Sequence, residues 1–478
     1  MEKIVTEVAV IGAGPGGYPA AFALADKGKK VTLIDPELNP GGVCLYKGCI
    51  PSKALLHAAK VAEDARDAAD FGLSYEEPHV DPKKLFSWKD EVVSKLTRGL
   101  RTLVKARKIN YVRGRAAFSS SNTLCIITAS GEEKELLFEN AVISTGSVSK
   151  SVPGVNFDSP NILDSDRALS MGEIPNTLLV VGGGYIGLEL GTFFSSLGTK
   201  VSVVEMLPGL VQGVDRDLAG VLKKRLDQKF GSIMLETKLI SVGESDNEIE
   251  VSFEHDGKTF REKYEKILIS VGRVPYTEGL GLENTRVGVD EKGFIKTDSQ
   301  RRTAEPGIFA IGDVSGEPML AHKATYEGKI VAEVITGAKT QYDPLAVPAV
   351  IFTDPEIAWC GITEKDAREE QMDIDISKFP WTASGRALTL NRTDGLTKII
   401  ADRETRRIIG VGIVGPQAGE LISEAVLAIE MGATAEDLSF SIHPHPTLAE
   451  TLMEAAEGVY GASTHLVKSR PPGSSRRK

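Results

Sequence analysis

The apolar runs of this chain are short and stand between glycines. The first, Val8-Ala9-Val10-Ile11, has the length and continuity of a strand buried on both faces. A glycine-rich stretch, Gly12-Ala13-Gly14-Pro15-Gly16-Gly17, follows it. A helix-length segment then stops at Gly28, and a second apolar run, Val31-Thr32-Leu33-Ile34, closes on Asp35. The same order recurs downstream at a constant offset. Leu178-Leu179-Val180-Val181 leads into Gly182-Gly183-Gly184-Tyr185-Ile186-Gly187, then a stop at Gly198, then Val201-Ser202-Val203-Val204 and Glu205. Gly12 aligns with Gly182, Gly28 with Gly198 and Asp35 with Glu205, without a gap. Helical spacing appears in two other places. Ala54, Leu55, Ala58, Ala59 and Ala62 follow Pro51, and Leu421, Ile422, Ala425, Val426 and Ile429 lie between Gly419 and Gly432.

Each repeat reads as strand, glycine loop, helix, glycine stop, strand, acid, which is the order of a dinucleotide-binding βαβ unit. Gly12 and Gly182 permit the tight turn. Gly14 and Gly184 let the backbone approach a pyrophosphate. Gly17 and Gly187 let the helix pack on the strand. The phosphates would sit at the helix N-terminus, where N–H groups lack partners. Asp35 and Glu205 can accept from a ribose 2′-OH. One such loop is weak evidence; two, each followed by an acid at the right distance, are strong. After Glu205 no arginine occurs until Arg216, which favours NAD over NADP at the second site.

Between the first repeat and the rest lies Gly42-Val43-Cys44-Leu45-Tyr46-Lys47-Gly48-Cys49-Ile50-Pro51-Ser52-Lys53. Two cysteines at this spacing could bridge only through a distorted turn, for which Gly48 supplies the freedom. Pro51 suits the first turn of a helix. A thiolate at a helix N-terminus is stabilised by the dipole and free N–H groups. A bare pair reads first as two buried, unreactive thiols or a simple staple; the flanking nucleotide motifs reverse that and favour a two-electron exchange between a flavin and a disulfide.

At 478 residues the chain is long enough for two to four domains. A hydrophobic content of 41% with 26% charged residues is that of a globular protein, and a net charge of −10 argues against a nucleic-acid partner. Four cysteines are too few for a secreted disulfide framework, and no second Cys/His pair suggests a metal site. The chain enters a strand almost at once and has no membrane-length apolar run, so a cytoplasmic protein without a membrane partner is expected. A basic tail, 469–478, is expected to be disordered. Cys125 and Cys360 read as small buried hydrophobes.

Together these residues resemble the flavin disulfide reductase family, and within it the branch that oxidises dihydrolipoamide. The resemblance covers nearly the whole chain. GGVCLYKGCIPSK is similar to the redox-disulfide motif of that family, Ser144-Thr145-Gly146-Ser147 and Gly272-Arg273-Val274-Pro275 to the segments that leave and close its domains, and Ile308-Phe309-Ala310-Ile311-Gly312-Asp313 to its second flavin motif. His443-Pro444-His445-Pro446-Thr447-Leu448-Ala449-Glu450 is similar to its His-Glu motif. The resemblance implies an α/β fold with two Rossmann-like domains, for FAD and NAD, and a C-terminal α+β dimerisation domain. Implied boundaries are 1–150 for FAD binding, 151–276 for NAD binding, 277–345 for a return to the central domain and 346–468 for the interface.

It also implies the residue roles. Cys44 is the interchange thiol and Cys49 the charge-transfer thiol. His445 is the base, Glu450 its orienter, and the pair serves the other subunit of a homodimer. Thr145, Gly146, Gly312, Asp313 and Lys53 belong to the FAD site, with Asp313 at the ribityl chain. Gly272 and Glu189 are placed with the NAD site, and a linked expectation brings Glu189 and Lys53 together near the flavin. Tyr185 fits a cover over the flavin or simple packing. The implied reaction oxidises protein-bound dihydrolipoamide and reduces NAD within 2-oxo acid dehydrogenase or glycine cleavage complexes, with a lipoyl-bearing acyltransferase or carrier protein as partner. An NADP-linked glutathione reductase would want cations after Val204, and a mercuric reductase a C-terminal cysteine pair; both are absent. A purely binding subunit would not need both cysteines and His445.

Overall fold

The computed structural model describes residues 2–152, 155, 157–245, 248–461 and 463–467; the tail expected at 469–478 lies outside them. Strand Glu2–Ile11 is central to the first sheet. It pairs in parallel with Val31–Asp35 on one side and Glu133–Ile143 on the other, with Val8 opposite both Val31 and Asn140. Asn110–Ser120 extends the sheet beyond Val31–Asp35, and Thr123–Thr128 pairs antiparallel with both long strands. Ile308–Ala310 returns from far along the chain to pair in parallel with Glu133–Ile143. The first apolar run is continuous because its two faces serve two cores. Val8 and Val10 pack under helices Gly17–Asp26 and Ala321–Ile335, while Ala9 and Ile11 face Phe118, Leu124 and Leu136.

The second sheet is parallel, in the order Ser232–Met234, Lys200–Val204, Thr177–Val181, Lys266–Ile269, Ile162–Leu163. Leu178 and Val180 face helix Tyr185–Ser196, and Leu179 and Val181 face an antiparallel meander of Lys238–Ser245, Glu248–His255 and Lys258–Tyr264. A short antiparallel pair, Ser147–Ser149 with Arg273–Pro275, joins the two halves. The C-terminal unit is a five-stranded antiparallel sheet, with helices Ala418–Glu430 and Glu450–Val459 contributing to its core. This is the expected fold class.

Two local readings change. The redox helix begins at Cys49 with Pro51 in its first turn, as expected, but Cys44 lies on its own short helix, Gly42–Lys47. Gly419 is inside helix Ala418–Glu430 rather than before it, and its N–H donates to Glu356 Oε2 at 2.9 Å. Among the described residues no helix is long and apolar enough to cross a membrane.

Candidate active site

The first glycine loop is shaped by contacts a side chain would block. Gly12 sits at φ +96°, and a Cβ there would lie 2.7 Å from the carbonyl carbon of Ser144. Gly182 repeats this at φ +104°, with a Cβ 2.6 Å from Ser270 O. Gly17 and Gly187 face back onto the same turns; added Cβ atoms would meet Gly12 C and Gly182 O, each at 2.9 Å. Gly14 and Gly184 differ: one has only Gly42 Cα, at 3.8 Å, and the other nothing within 4 Å. Both helices that follow lack a side-chain N-cap. Open backbone beside unsatisfied helical N–H groups fits a pyrophosphate at each loop.

The two acids have a role that the sequence reading missed. Asp35 Oδ2 accepts from Ala13 N at 2.6 Å and its Oδ1 from Glu37 N at 2.9 Å. Glu205 does the same in the second repeat, accepting from Gly183 N and Leu207 N, both at 2.7 Å. Each acid therefore fixes its own glycine loop. Burial pushes the Asp35 carboxyl up, against the pull of the two N–H groups. Arg216 turns away from Glu205, donating to Leu210 O, Val211 O and Val214 O.

A cavity of about 650 Å³ runs from the first loop to the cysteines. It is lined by Gly12, Gly14, Asp35, Cys44, Cys49, Lys53, Thr145, Gly146, Glu189, Gly312 and Asp313. Tyr185 and Arg273 line it as well. Gly17 is packed behind the loop. Gly182, Gly184, Gly187 and Glu205 form a separate place at the second sheet. Gly272 lies at the junction between the halves, where its carbonyl accepts from Lys150 N at 3.0 Å. Glu189, grouped by sequence with the second site, stands in this cavity with Lys53.

Cys44 and Cys49 are free thiols. They are brought together by the break at Gly48, whose role is room: a Cβ there would sit 3.1 Å from Val43 O and 3.2 Å from Cys44 Cα. Gly41 and Gly42, not singled out in sequence, dock this segment on the nucleotide loop. Gly41 N donates to Ala13 O at 2.8 Å, and a Cβ on Gly42 would run into Gly14. The Cys44 thiol donates to Cys49 sulfur, which pulls the Cys49 thiol down to about 7, with help from the Lys53 ammonium against burial. Cys44 is correspondingly held up. Lys53 Nζ lies 2.7 Å from Glu189 Oε2 and 4.5 Å from the Phe352 ring centroid. Glu189 Oε1 accepts from Phe352 N at 2.9 Å, so Phe352 holds both members of the pair, one by its ring and one by its N–H. Burial raises the Tyr185 hydroxyl to about 12.

The far wall is a polar relay. Ser147 Oγ donates to Asp313 Oδ2 at 2.6 Å, Arg273 Nε donates to Ser147 Oγ at 2.7 Å, and Thr145 Oγ1 donates to Tyr276 O at 2.6 Å. Arg273 stood in a sequence motif without a role and Tyr276 was not singled out, because their partners lie more than a hundred positions away.

His445 is not in this cavity. Its Nδ1 is 2.8 Å from Glu450 Oε1, and its side chain is 78% exposed. Glu450 Oε2 accepts from Thr447 N at 2.8 Å; burial raises this carboxyl, but the Thr447 N–H and His445 together hold it below the usual range. The neighbouring His443 is buried against Glu424, 2.8 Å from its Oε1. Cys360 is buried, its thiol pushed up to about 12. Asp215, Asp217 and Glu364 cluster closely enough for a cation, and two lysines, Lys398 and Lys378, fill that cluster.

The chain is similar to known proteins in sequence and in fold. The chain is 44% identical to the "Dihydrolipoyl dehydrogenase" of Haemophilus influenzae over 98% of both chains. It is 45% identical to that of Vibrio cholerae, again over 98% of both. Among solved structures, LpdA of Mycobacterium tuberculosis superposes with a TM-score of 0.88 at 25% identity, covering 95% of this chain and 99% of that one. The HOCl-induced flavoprotein disulfide reductase of Escherichia coli does so at 0.84 and 28%, covering 94% and 99%. Residues 347–456 match the dimerisation domain of the pyridine nucleotide-disulphide oxidoreductases. Residues 6–328 match the main domain of the same proteins, and the chain belongs to the pyridine nucleotide-disulphide oxidoreductase family.

Proposed function

We infer that this protein is a flavoprotein disulfide oxidoreductase that uses FAD to oxidise protein-bound dihydrolipoamide to lipoamide and reduces NAD. The carrying observation is the thiol pair itself: Cys49, poised at about 7 by Cys44, opens onto the cavity that begins at the first glycine loop. Its relatives' name, dihydrolipoyl dehydrogenase, supplies the substrate.

The chain's own residues divide the work. His445, with its ring oriented by Glu450, takes the proton from a substrate thiol. The resulting thiolate attacks Cys44 of the oxidised pair, and Cys49 leaves as a thiolate stabilised by Lys53. The second substrate thiol then attacks the mixed disulfide, releasing lipoamide and the Cys44 thiol. FAD, held by the cavity that includes Gly12, Gly14 and Asp313, would supply the two-electron acceptor for the reduced pair, and NAD would be the final hydride acceptor.

The FAD reading rests on the cavity at Gly12, Gly14, Asp35, Thr145, Gly146, Gly312 and Asp313. The NAD reading rests on Gly182, Gly184, Gly187 and Glu205, with Gly272 at the junction, and on Arg216 being committed to carbonyls. The strongly exposed His445, away from its own cysteines, favours a homodimer in which it serves the cysteines of the other subunit. Domains at 1–150, 151–276, 277–345 and 346–468 complete the reading, as does service to a lipoyl-bearing acyltransferase or glycine cleavage carrier in the cytoplasm. The test is anaerobic reduction of the oxidised protein by dihydrolipoamide, followed by alkylation and peptide mapping. New thiols at Cys44 and Cys49 alone are expected; no new thiols would refute the substrate.

A further inference from the structure

Helix Ala321–Ile335 touches both loops of the first nucleotide site. Its residues Ala321 and Ala324 line the cavity. Thr325 Oγ1 donates to Pro15 O at 2.8 Å, and a Cβ on Gly328 would lie 2.6 Å from Gly16 O, so one face presses on the first glycine loop. The second loop, Gly312–Ser315, is gripped by charged groups of the same helix. Glu327 is 0% exposed, and its Oε2 accepts from Gly312 N at 2.6 Å. Lys323, one turn earlier and also buried, donates to Gly316 O at 2.9 Å and reaches Gly312 O at 3.5 Å. The loop peptide is thus held at its N–H by an anion and at its carbonyls by a cation.

The remaining contacts of Glu327 are weaker. Its Oε1 lies 3.1 Å from Lys323 Nζ and 3.5 Å from Arg301 Nε, but neither is aligned as a hydrogen bond, and Oε1 has no such partner among the described residues. Burying a carboxylate is costly, and packing alone is served as well by an apolar side chain. The one well-formed bond this carboxylate makes goes to the loop whose next residue, Asp313, lines the cavity and accepts from Ser147.

We propose that Glu327, balanced by Lys323, is a positioning residue that fixes the Gly312–Asp313 loop for the flavin; this rests on the FAD reading above. Two neutral pairs in the full-length holoprotein separate positioning from packing. Lys323→Met with Glu327→Gln keeps an acceptor for Gly312 N, and Lys323→Met with Glu327→Met does not. FAD dissociation, flavin midpoint potential and melting temperature are measured on both. The methionine pair is expected to raise the FAD Kd roughly five- to a hundredfold over the glutamine pair, the range for leaving one buried N–H without an acceptor. Its potential should shift while the melting temperatures of the two pairs stay close. Equal FAD affinity and equal potential in the two pairs would overturn the proposal. Should the methionine pair not fold, Glu327→Asp decides, since it keeps the charge and shortens the reach: weaker FAD binding supports the proposal, and unchanged affinity with unchanged potential overturns it. A parent protein that holds no FAD would instead refute the flavin reading, before any variant is compared.

Discussion

Removing Cys44 tests how the reactive thiolate is made. In the reduced protein Cys49 titrates at about 7, and the largest cause is the bond donated by the Cys44 thiol, followed among the favourable ones by Lys53. Cys44→Ala deletes the donor and leaves Lys53 and Glu189 in place. A hydrogen bond to a charged group contributes roughly 1.5–3 kcal/mol, and a pKa unit is about 1.4 kcal/mol, so the Cys49 value should rise by roughly one to two units. At neutral pH the thiolate fraction would fall from about half to between roughly a tenth and a hundredth. Cys44→Ser keeps a donor and should show a smaller rise. The assay is the pH dependence of alkylation at Cys49, mapped by peptide so that Cys125 and the buried Cys360 do not contribute. A Cys44→Ala protein whose Cys49 still titrates at about 7, or one matching Cys44→Ser, would refute the reasoning.

Three further outcomes follow from the geometry. His445→Gln should lower kcat with dihydrolipoamide by roughly 10²–10⁴ while FAD content stays normal, and Glu450→Gln should cost less because Thr447 N still has an acceptor; equal kcat in His445→Gln and parent would remove His445 from the chemistry. Gly17→Ala should cost about 1–3 kcal/mol in denaturant unfolding and lower FAD occupancy, whereas Gly187→Ala, whose nearest obstacles include the movable Ser270 hydroxyl, should raise the NAD KM with FAD retained; FAD loss from both alike would contradict two separate sites. Lys398→Met, which leaves Asp217 and Glu364 with Lys378 and Asp215 with no lysine, should cost about 3 kcal/mol in urea unfolding at neutral pH. Burial raises the Asp217 and Glu364 carboxyls, but bonds from the two lysines hold both below their ordinary values of 3.8 and 4.5. Their contribution is therefore present above those values and lost as pH falls through the lower folded ones, so the gap between parent and variant should shrink below about pH 4. A gap independent of acid would contradict the cluster's role.

The two nucleotide loops were legible because the glycine spacing and the closing acid fall within one short stretch of chain and occur twice, although part of what forces the glycines, Ser144 and Ser270, comes from a distant strand end. Gly12 is forced by Ser144 and Gly17 by Gly12 itself, and a repeat exposes that logic twice. The cysteine pair was legible for the same local reason. The clamping role of Asp35 and Glu205 was not, since an acid at a strand end satisfies a ribose or its own loop equally well. Lys53 and Glu189 are 136 positions apart, and only the family resemblance joined them. Glu327 and Lys323 sit on an ordinary amphipathic helix, and nothing in their spacing tells a buried pair from a surface one. Pro51 does fall in the first turn of the redox helix, as its missing N–H allows; the separate short helix that carries Cys44 was not legible, because six residues give too little periodicity to read.

The central claim is tested most directly by nicotinamide reduction with dihydrolipoamide, using purified FAD-loaded protein and comparing NAD with NADP. Rapid turnover with NAD and little with NADP is the predicted result. No turnover with either, from protein that holds FAD and an intact Cys44–Cys49 pair, would contradict it.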